Sequence, residues 1–376
     1  MLYIGLMSGT SADGMDGALV DLDDGRFRLL ATLTRPFTPE IKEAIESVVH
    51  LFPDVNKAQI ERLDRALAAD FARLAKDLSH KTGRGEQVTA IGSHGQTIYH
   101  GPGDKPPVTI QIGDPRSIAE LTGITTVGDF RSNDLRAGGQ GAPLAPAFHN
   151  AMFRDSAANR MIVNIGGIAN VTSLPADPAA AVLGFDTGPG NTLMDQWCRV
   201  CAGHPYDEDG RWAAGGQAPT KFVEALLSDP YFDLPAPKST GREYFHLDWM
   251  KSRYPAWNKE QPVDIQAGLL EVTARSIARG VQDLHSSGRH EMYICGGGAW
   301  NTVLMNRLAE LIACPVATTE TLGLSPDWVE ACAFAWLACR RIHGRPGNLP
   351  SVTGAAREVL LGEIYTPAGQ PARPGT

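Results

Sequence analysis

The residues best placed to do chemistry are glycines, hydroxyls and aspartates that follow apolar runs. Three loops of this kind occur: SGTSADG (8–14), NIGGIAN (164–170) and CGGGAWN (295–301). Glycine lets backbone N–H groups approach phosphate oxygens that a Cβ would hold off, and serine and threonine add hydroxyl donors. One such loop reads equally well as a tight hairpin turn. Three, each directly after an apolar run, point to phosphate binding. The first loop has no GK[ST], so it is not a Walker loop. GxGxxG is absent from the first strand–turn unit, so it is not a dinucleotide fingerprint either. The only charges near it are Asp13 and Asp16. Two carboxylates beside a polyphosphate call for a cation, and Mg²⁺ held near Asp13 or Asp16 through water satisfies that demand. As turn caps, the same aspartates would need no ligand.

Asp186 ends the apolar run AVLGFD and enters TGPGN. The carboxyl ends of strands in an α/β sheet face the ligand crevice, and an acid there can take a proton from a hydroxyl or water. As a plain turn former it needs no such role. Glu330 stands near the start of the apolar helix SPDWVEACAFAWLACRRI, with Ser325–Pro326–Asp327 as an expected capped entry. It either complements the helix dipole or faces a cleft, a partner or a ligand. His94 in SHGQT and Arg131 in GDFR each follow a strand. They read as turn and surface residues unless those strands end at one site.

The elements that must position these residues alternate. A β-hairpin is expected over Tyr3–Met7 and Gly17–Leu22. A helix capped by Thr38 with Pro39 in its first position follows, then a longer helix from Asn56 to His80 with Gly83 as its stop. Strands are expected at Val88–Ser93, Val108–Ile112 and Thr125–Phe130, and alternation of this kind is the α/β class. LRAGGQGAPLAP (135–146) is the strongest break in the first half. After it, RMIVNIGGIANVTSLP repeats the opening plan of apolar run, glycine turn and apolar return. A long helix over Val263–His285 and the strand, glycine loop and helix of EMYICGGGAWNTVLMNRLAELI complete the second half. This gives an N-terminal lobe of 1–134, joined by the C-terminal segment 350–376, and a second lobe of 135–349.

The 376 residues suffice for two domains, and a formal charge of −8 argues against non-specific nucleic-acid binding. No apolar run reaches the roughly 18 residues of a membrane span, and MLYIGLMSG lacks a basic signal-peptide region. A soluble cytoplasmic protein with no nucleic-acid or membrane partner is expected. Cys198 and Cys201 have CxxC spacing, but with Leu193, Met194 and Trp197 they follow a helical period. Both thiols are therefore expected on one buried apolar face, reduced and without metal.

The motifs IGLMSGTSADGMDGALVD, SHGQT, GDFR, NIGGIANVT, GFDTGPGN and CGGGAWN, with the Glu330 helix, together resemble the anhydro-N-acetylmuramic acid kinase family. The resemblance implies two duplicated actin-like (ribonuclease H-like) α/β lobes around a nucleotide cleft. It implies that ATP, with Mg²⁺, and water convert 1,6-anhydro-N-acetylmuramic acid to N-acetylmuramic acid 6-phosphate, in peptidoglycan recycling and amino-sugar catabolism. By the same resemblance Gly9, Thr10, Ser11, Ala12, Asp13, Gly14, Met15 and Asp16 form the ATP-phosphate loop. Gly166 and Gly167 match the second phosphate-facing hairpin, and Gly296, Gly297 and Gly298 the adenosine loop. Asp186 matches the base that activates water, while Arg131 and Glu330 match positions lining the sugar site. A homodimer is expected on the same basis. Ala12 stands where many relatives carry a bulkier residue, with little expected consequence. Two other readings compete: an ATP-independent glycoside hydrolase using Asp186 and Glu330, and a non-enzymatic nucleotide switch. Neither accounts for all the motifs.

Overall fold

Leu2–Met7 is a run of six residues, every one buried, and it forms the central strand β1. It pairs antiparallel with β2 (Gly14–Asp23), which in turn pairs antiparallel with β3 (Arg26–Pro36). β4 (Val88–Ser93) returns parallel to β1 on its other side. β5 (Gln96–Gly101) and β6 (Val108–Ile112) form a separate two-stranded ribbon, and β7 (Thr126–Gly128) pairs parallel with β4. The computed structural model describes residues 1–9, 12–23, 26–81, 87–282, 284 and 288–368. Thr10, Ser11, Gly83 and His285 lie outside the described residues.

The chain divides into two units, Met1–Phe148 with Trp328–Thr376, and His149–Asp327. The second unit repeats the first. β8 (Asn159–Ile165), β9 (Ile168–Leu174) and β10 (Leu183–Pro189) make an antiparallel meander. β11 (His290–Cys295) lies parallel to β8, and β12 (Val316–Thr318) parallel to β11. Both sheets thus run meander strand three, two, one, then two parallel strands, and β13 (Glu363–Tyr365) adds an antiparallel edge to the first. This shared strand order establishes the expected duplication. A parallel strand needs a crossover, and helices on the sheet faces provide it.

Small residues set how closely those helices pack. A Cβ built on Gly5 would lie 1.8 Å from the carbonyl oxygen of Ala331, and one on Gly92 would lie 2.1 Å from that of Phe334. The helix Val329–Ile342 therefore rests directly on the backbones of β1 and β4. That packing places the segment from Trp328 onward in the first unit, whereas the sequence reading ran the second lobe over 135–349. On the other face, Phe71, Leu74 and Leu78 of the helix Lys57–Lys81 pack with Ile4, Leu6 and Leu19. The helix Pro39–Leu51 begins as expected, with Thr38 Oγ1 accepting from the N–H of Ile41 at 3.4 Å. Val329–Ile342 begins differently from expectation. Its cap is Trp328, which makes no side-chain capping bond, and Asp327 instead accepts from Trp300 Nε1 at 2.7 Å.

In the second unit, the helix Thr192–Ala202 buries Leu193, Met194, Trp197 and Cys198. Cys201 is exposed, so the two thiols do not share a buried face. Three residues turn a helix by only about 300°, and in this last turn that carries Cys201 into solvent. Among the described residues no group of three or more His, Cys, Asp or Glu could hold a metal ion. No helix among them is long and apolar enough to cross a membrane.

Candidate active site

In the first unit, SHGQT and GDFR come together. Arg131 donates from Nε to His94 Nε2 at 3.2 Å, its Nη2 lies 2.9 Å from the same nitrogen, and Nη1 donates to the carbonyl of Gly141 at 2.8 Å. His94 Nδ1 lies 3.1 Å from the carbonyl of Gly95. A carbonyl only accepts, so Nδ1 carries the proton and Nε2 is the acceptor facing Arg131. Burial first, and the Arg131 charge second, hold the imidazole well below its ordinary pKa. His100 is pushed down to about 4 by the same two causes in the same order. Both rings are neutral beside the guanidinium. Asp129, at φ 53°, turns the chain into Arg131 and caps Ser132, whose N–H lies 3.3 Å and hydroxyl 2.5 Å from its Oδ1.

Glu330 is half-buried in the first turn of its helix, and burial raises its pKa, with Asp16 raising it further and Arg131 opposing. Phe334, one turn on, stacks against His94 with ring centroids 4.6 Å apart. Arg131, Glu330, Asp16 and His94 therefore form one electrostatic group in the first unit. Desolvation brings Arg131 down to about 10, and Glu330 works against that shift. The guanidinium still stays charged at neutral pH.

The first loop is built from the same strands. The N–H of Ala12 donates to the carbonyl of Gly9 at 3.1 Å, and Ala12 sits at φ 49°, a left-handed conformation costly for any residue with a Cβ. Ser8 Oγ is 2.8 Å from the carbonyl of Gly14 and 2.6 Å from Gln96 Oε1. The Gln of SHGQT thus buttresses the loop while its His holds Arg131. Gly14 has a packing reason of its own, since a Cβ there would meet the carbonyl of Arg35 at 2.5 Å. Met15 is buried, Asp13 is exposed and paired with Lys42, and Asp16 accepts from Thr34 Oγ1 at 2.7 Å.

The second unit holds Asp186. β10 runs on to Pro189, so Asp186 stands within the strand and does not end it as the sequence suggested; a register shift between Asp186 and Gly188 interrupts the pairing there. Asp186 Oδ2 accepts from the N–H of Thr240 at 2.9 Å and from Ser239 Oγ at 3.0 Å. Its backbone is fixed as well: its N–H donates to the carbonyl of Lys238 at 3.0 Å, and its carbonyl accepts from the Tyr231 hydroxyl at 2.7 Å. Desolvation raises the carboxyl to about 6, Glu243 adds to the rise, and the two bonds to Oδ2 oppose it. Burial outweighs the two donors.

The second and third glycine loops meet. The carbonyl of Gly167 accepts from the N–H groups of Gly190 and Thr192 at 2.9 and 3.1 Å, and that of Gly166 from Asn191 at 2.8 Å. A Cβ on Gly298 would lie 3.2 Å from Asn191 Oδ1, and one on Gly296 would lie 2.3 Å from Asn164 Oδ1. At Gly166 and Gly297 the nearest atoms to such a Cβ are 3.7 and 3.8 Å away. Packing alone does not demand glycine at those two positions, which leaves a face that a ligand can approach.

A family model described as anhydro-N-acetylmuramic acid kinase matches residues 1–367. The chain belongs to that family. It is 50% identical over 365 residues to the anhydro-N-acetylmuramic acid kinase of Coxiella burnetii (strain Dugway 5J108-111), covering 96% of this chain and 97% of the relative. It is 48% identical over 366 residues to that of Shewanella loihica, covering 96% and 98%. The solved xylulose kinase of Rhodospirillum rubrum is 13% identical with a TM-score of 0.45, covering 98% of this chain and 95% of that one.

Sequence reasoning missed the residues around Asp186: Tyr231, Ser239 and Thr240 bond to it, and the Glu243 charge raises its pKa. They come from an irregular stretch about fifty residues further on, where neither the period of a strand nor that of a helix marks them. The available signal was PKSTGREYF (237–245), a hydroxyl- and charge-bearing run inside an otherwise aromatic segment. A hollow of about 630 Å³ that includes Arg275, His290 and Cys314 holds none of the expected site residues.

Proposed function

We propose that the chain catalyses one reaction: ATP and water convert 1,6-anhydro-N-acetylmuramic acid to N-acetylmuramic acid 6-phosphate and ADP. Asp186, a carboxylate at the register shift within β10 with one oxygen held by two donors, is the observation that carries the mechanism. The held Oδ2 fixes the plane of the group, and Oδ1 takes the proton from the attacking water. The water oxygen bonds to C1 as the C1–O6 bond breaks, an oxocarbenium-like process of the glycosidase kind. O6 then bonds to the γ-phosphorus, and ADP leaves with the electron pair of the bond to its bridging oxygen. The water proton passes from Asp186 to solvent.

Arg131 and Glu330 receive the sugar in this reading. Arg131 is fastened along one edge by His94, so the rest of its fork is pre-oriented for a carboxylate or hydroxyl. The loop from Gly9 to Asp16 and the turns at Gly166–Gly167 and Gly296–Gly298 receive the nucleotide. A hollow of about 320 Å³ lined by Ala213, Gly216, Leu270, Val303 and Arg307 suits a purine, and one of its walls is the helix that the third loop enters. Mg²⁺ binds phosphates with only one or two carboxylates and keeps its waters, so an aspartate of the first loop suffices for it. The ion is held near Asp13 or Asp16 through water. The ion would neutralise phosphate charge during transfer.

The same reading makes the protein a cytoplasmic homodimer acting in cell-wall recycling. The decisive experiment is ADP release with the anhydro-sugar present and absent. Release that depends on the sugar and yields a 6-phosphorylated, ring-opened product supports the reading. Sugar turnover without ATP would favour a hydrolase, and sugar-independent ATP hydrolysis a nucleotide switch.

A further inference from the structure

We propose that Arg242 is the cation that meets the transferred phosphoryl group at the Gly166–Gly167 turn. The assignment rests on the kinase reading above and adds a residue to it. A Cβ on Gly167 would lie 2.7 Å from Arg242 Nε and 2.9 Å from Nη2. The guanidinium is therefore laid against the turn itself, in space that any larger residue at 167 would fill. The carbonyls of Gly166 and Gly167 are engaged by the N–H groups of 190–192.

The same short segment carries the clamp on Asp186, since Ser239 and Thr240 hold its Oδ2. Base and cation are thus set by one stretch of chain, as a reaction in which proton removal and phosphoryl transfer share a substrate requires. Lys238 does not fill this role. Its Nζ donates to the carbonyls of Tyr231 and Phe232 at 3.1 and 3.3 Å and sits 4.7 Å from the centre of the Tyr231 ring. Nor is Glu243 a competitor for the turn: its carboxylate folds back over Gly241, where a Cβ would come within 2.1 Å of it. Charge in phosphoryl transfer spreads over the equatorial oxygens, and a planar fork meets two of them at once. As the new bond from O6 forms and the bond to ADP breaks, the guanidinium neutralises that charge and takes no proton.

R242A and R242Q test the assignment, each measured for melting temperature, turnover, ADP affinity and the pH dependence of kcat/KM. An arginine acting on the transferring group is worth about 10³-fold or more in turnover. Both variants should lose activity on that scale while ADP affinity and the acid limb of the pH profile stay in place. Guanidinium ion added to R242A should restore part of the turnover. Parental turnover in either folded variant would overturn the assignment. So would a loss that guanidinium does not rescue and that moves the acid limb, because Arg242 would then only anchor the Asp186 clamp. If R242A fails to fold, R242Q, which keeps the length of the side chain, decides by turnover at parental melting temperature. A parent protein inactive with ATP and the anhydro-sugar would overturn the kinase reading and this assignment together, a result visible before any variant is made.

Discussion

Arg131 and His94 are joined at a single nitrogen: Nε and Nη2 of the guanidinium lie 3.2 and 2.9 Å from His94 Nε2. The contact requires a neutral imidazole, and burial with the adjacent positive charge keeps it neutral. Protonated His94 would present a donor to a donor. The histidine is therefore a positioning residue for Arg131 and not a proton carrier.

H94A should raise the KM for the sugar, on the order of tenfold for one lost bond to a charged group, with kcat less affected. H94Q, which offers an acceptor oxygen, should recover part of the loss. Steady-state kinetics with varied sugar, alongside melting curves, check this. An unchanged KM would mean that the Gly141 carbonyl holds Arg131 on its own.

G5A and G92A should destabilise the first unit, because the added methyl meets backbone carbonyls of the helix Val329–Ile342 and not a flexible side chain. Overpacking costs about 1–3 kcal/mol where neighbours can yield, and backbone yields little. Denaturant midpoints measured beside a control such as G123A, where nothing lies within 4 Å of the added Cβ but φ is 72°, separate crowding from conformational strain. Crowding predicts the larger loss at Gly5.

These glycines also show what the sequence made legible. The first hairpin, the helix capped by Thr38 and the buried helix around Glu330 are local patterns, and they stand where periodicity placed them. β3 escaped because, at the sheet edge, it buries no residue: its middle is half-buried and its ends largely exposed, so RFRLLATLTRP lacks a clean two-residue period. β5 escaped because SHGQT reads as a turn, although Gln96 begins a strand. The repeated glycine hairpins pointed to duplication, and the shared strand order of the two sheets bears it out. Residues that act through space left little local trace. His94 becomes meaningful only beside Arg131, and Ser239 and Thr240 only beside Asp186.

G9V should weaken ATP binding by tenfold or more, on the order of 1.4 kcal/mol, with a smaller effect on melting. Gly9 closes the turn to Ala12 through its carbonyl at 3.1 Å, a bond that valine can keep, so the fold should survive. Calorimetric titration with a non-hydrolysable ATP analogue checks the split. Parental affinity in a folded G9V protein would remove the loop from the nucleotide site.

Asp186 makes the most exacting prediction, because its pKa and its role have to agree. Burial lifts the carboxyl to about 6, so the protonated, inactive form persists well above the ordinary carboxylate range. A base must be ionised to act, so kcat/KM should rise with pH through about 6 and level off above it, with Asp186 setting the limb. His94 and His100 are held neutral over that range and should not contribute. S239A removes one of the two bonds that favour the ionised form, so its limb should move to higher pH while the plateau stays near the parent. D186N keeps the shape and loses the acceptor. Its turnover should fall by about 10²–10⁴-fold, with no limb left near pH 6, while binding of the ATP analogue persists. A turn-forming aspartate predicts the reverse, since asparagine also supports turns: a change in melting temperature and turnover near the parent's. Full pH profiles of parent, S239A and D186N distinguish the two. A parental limb that S239A does not move would assign the titration to another group, with Glu330 the first to test.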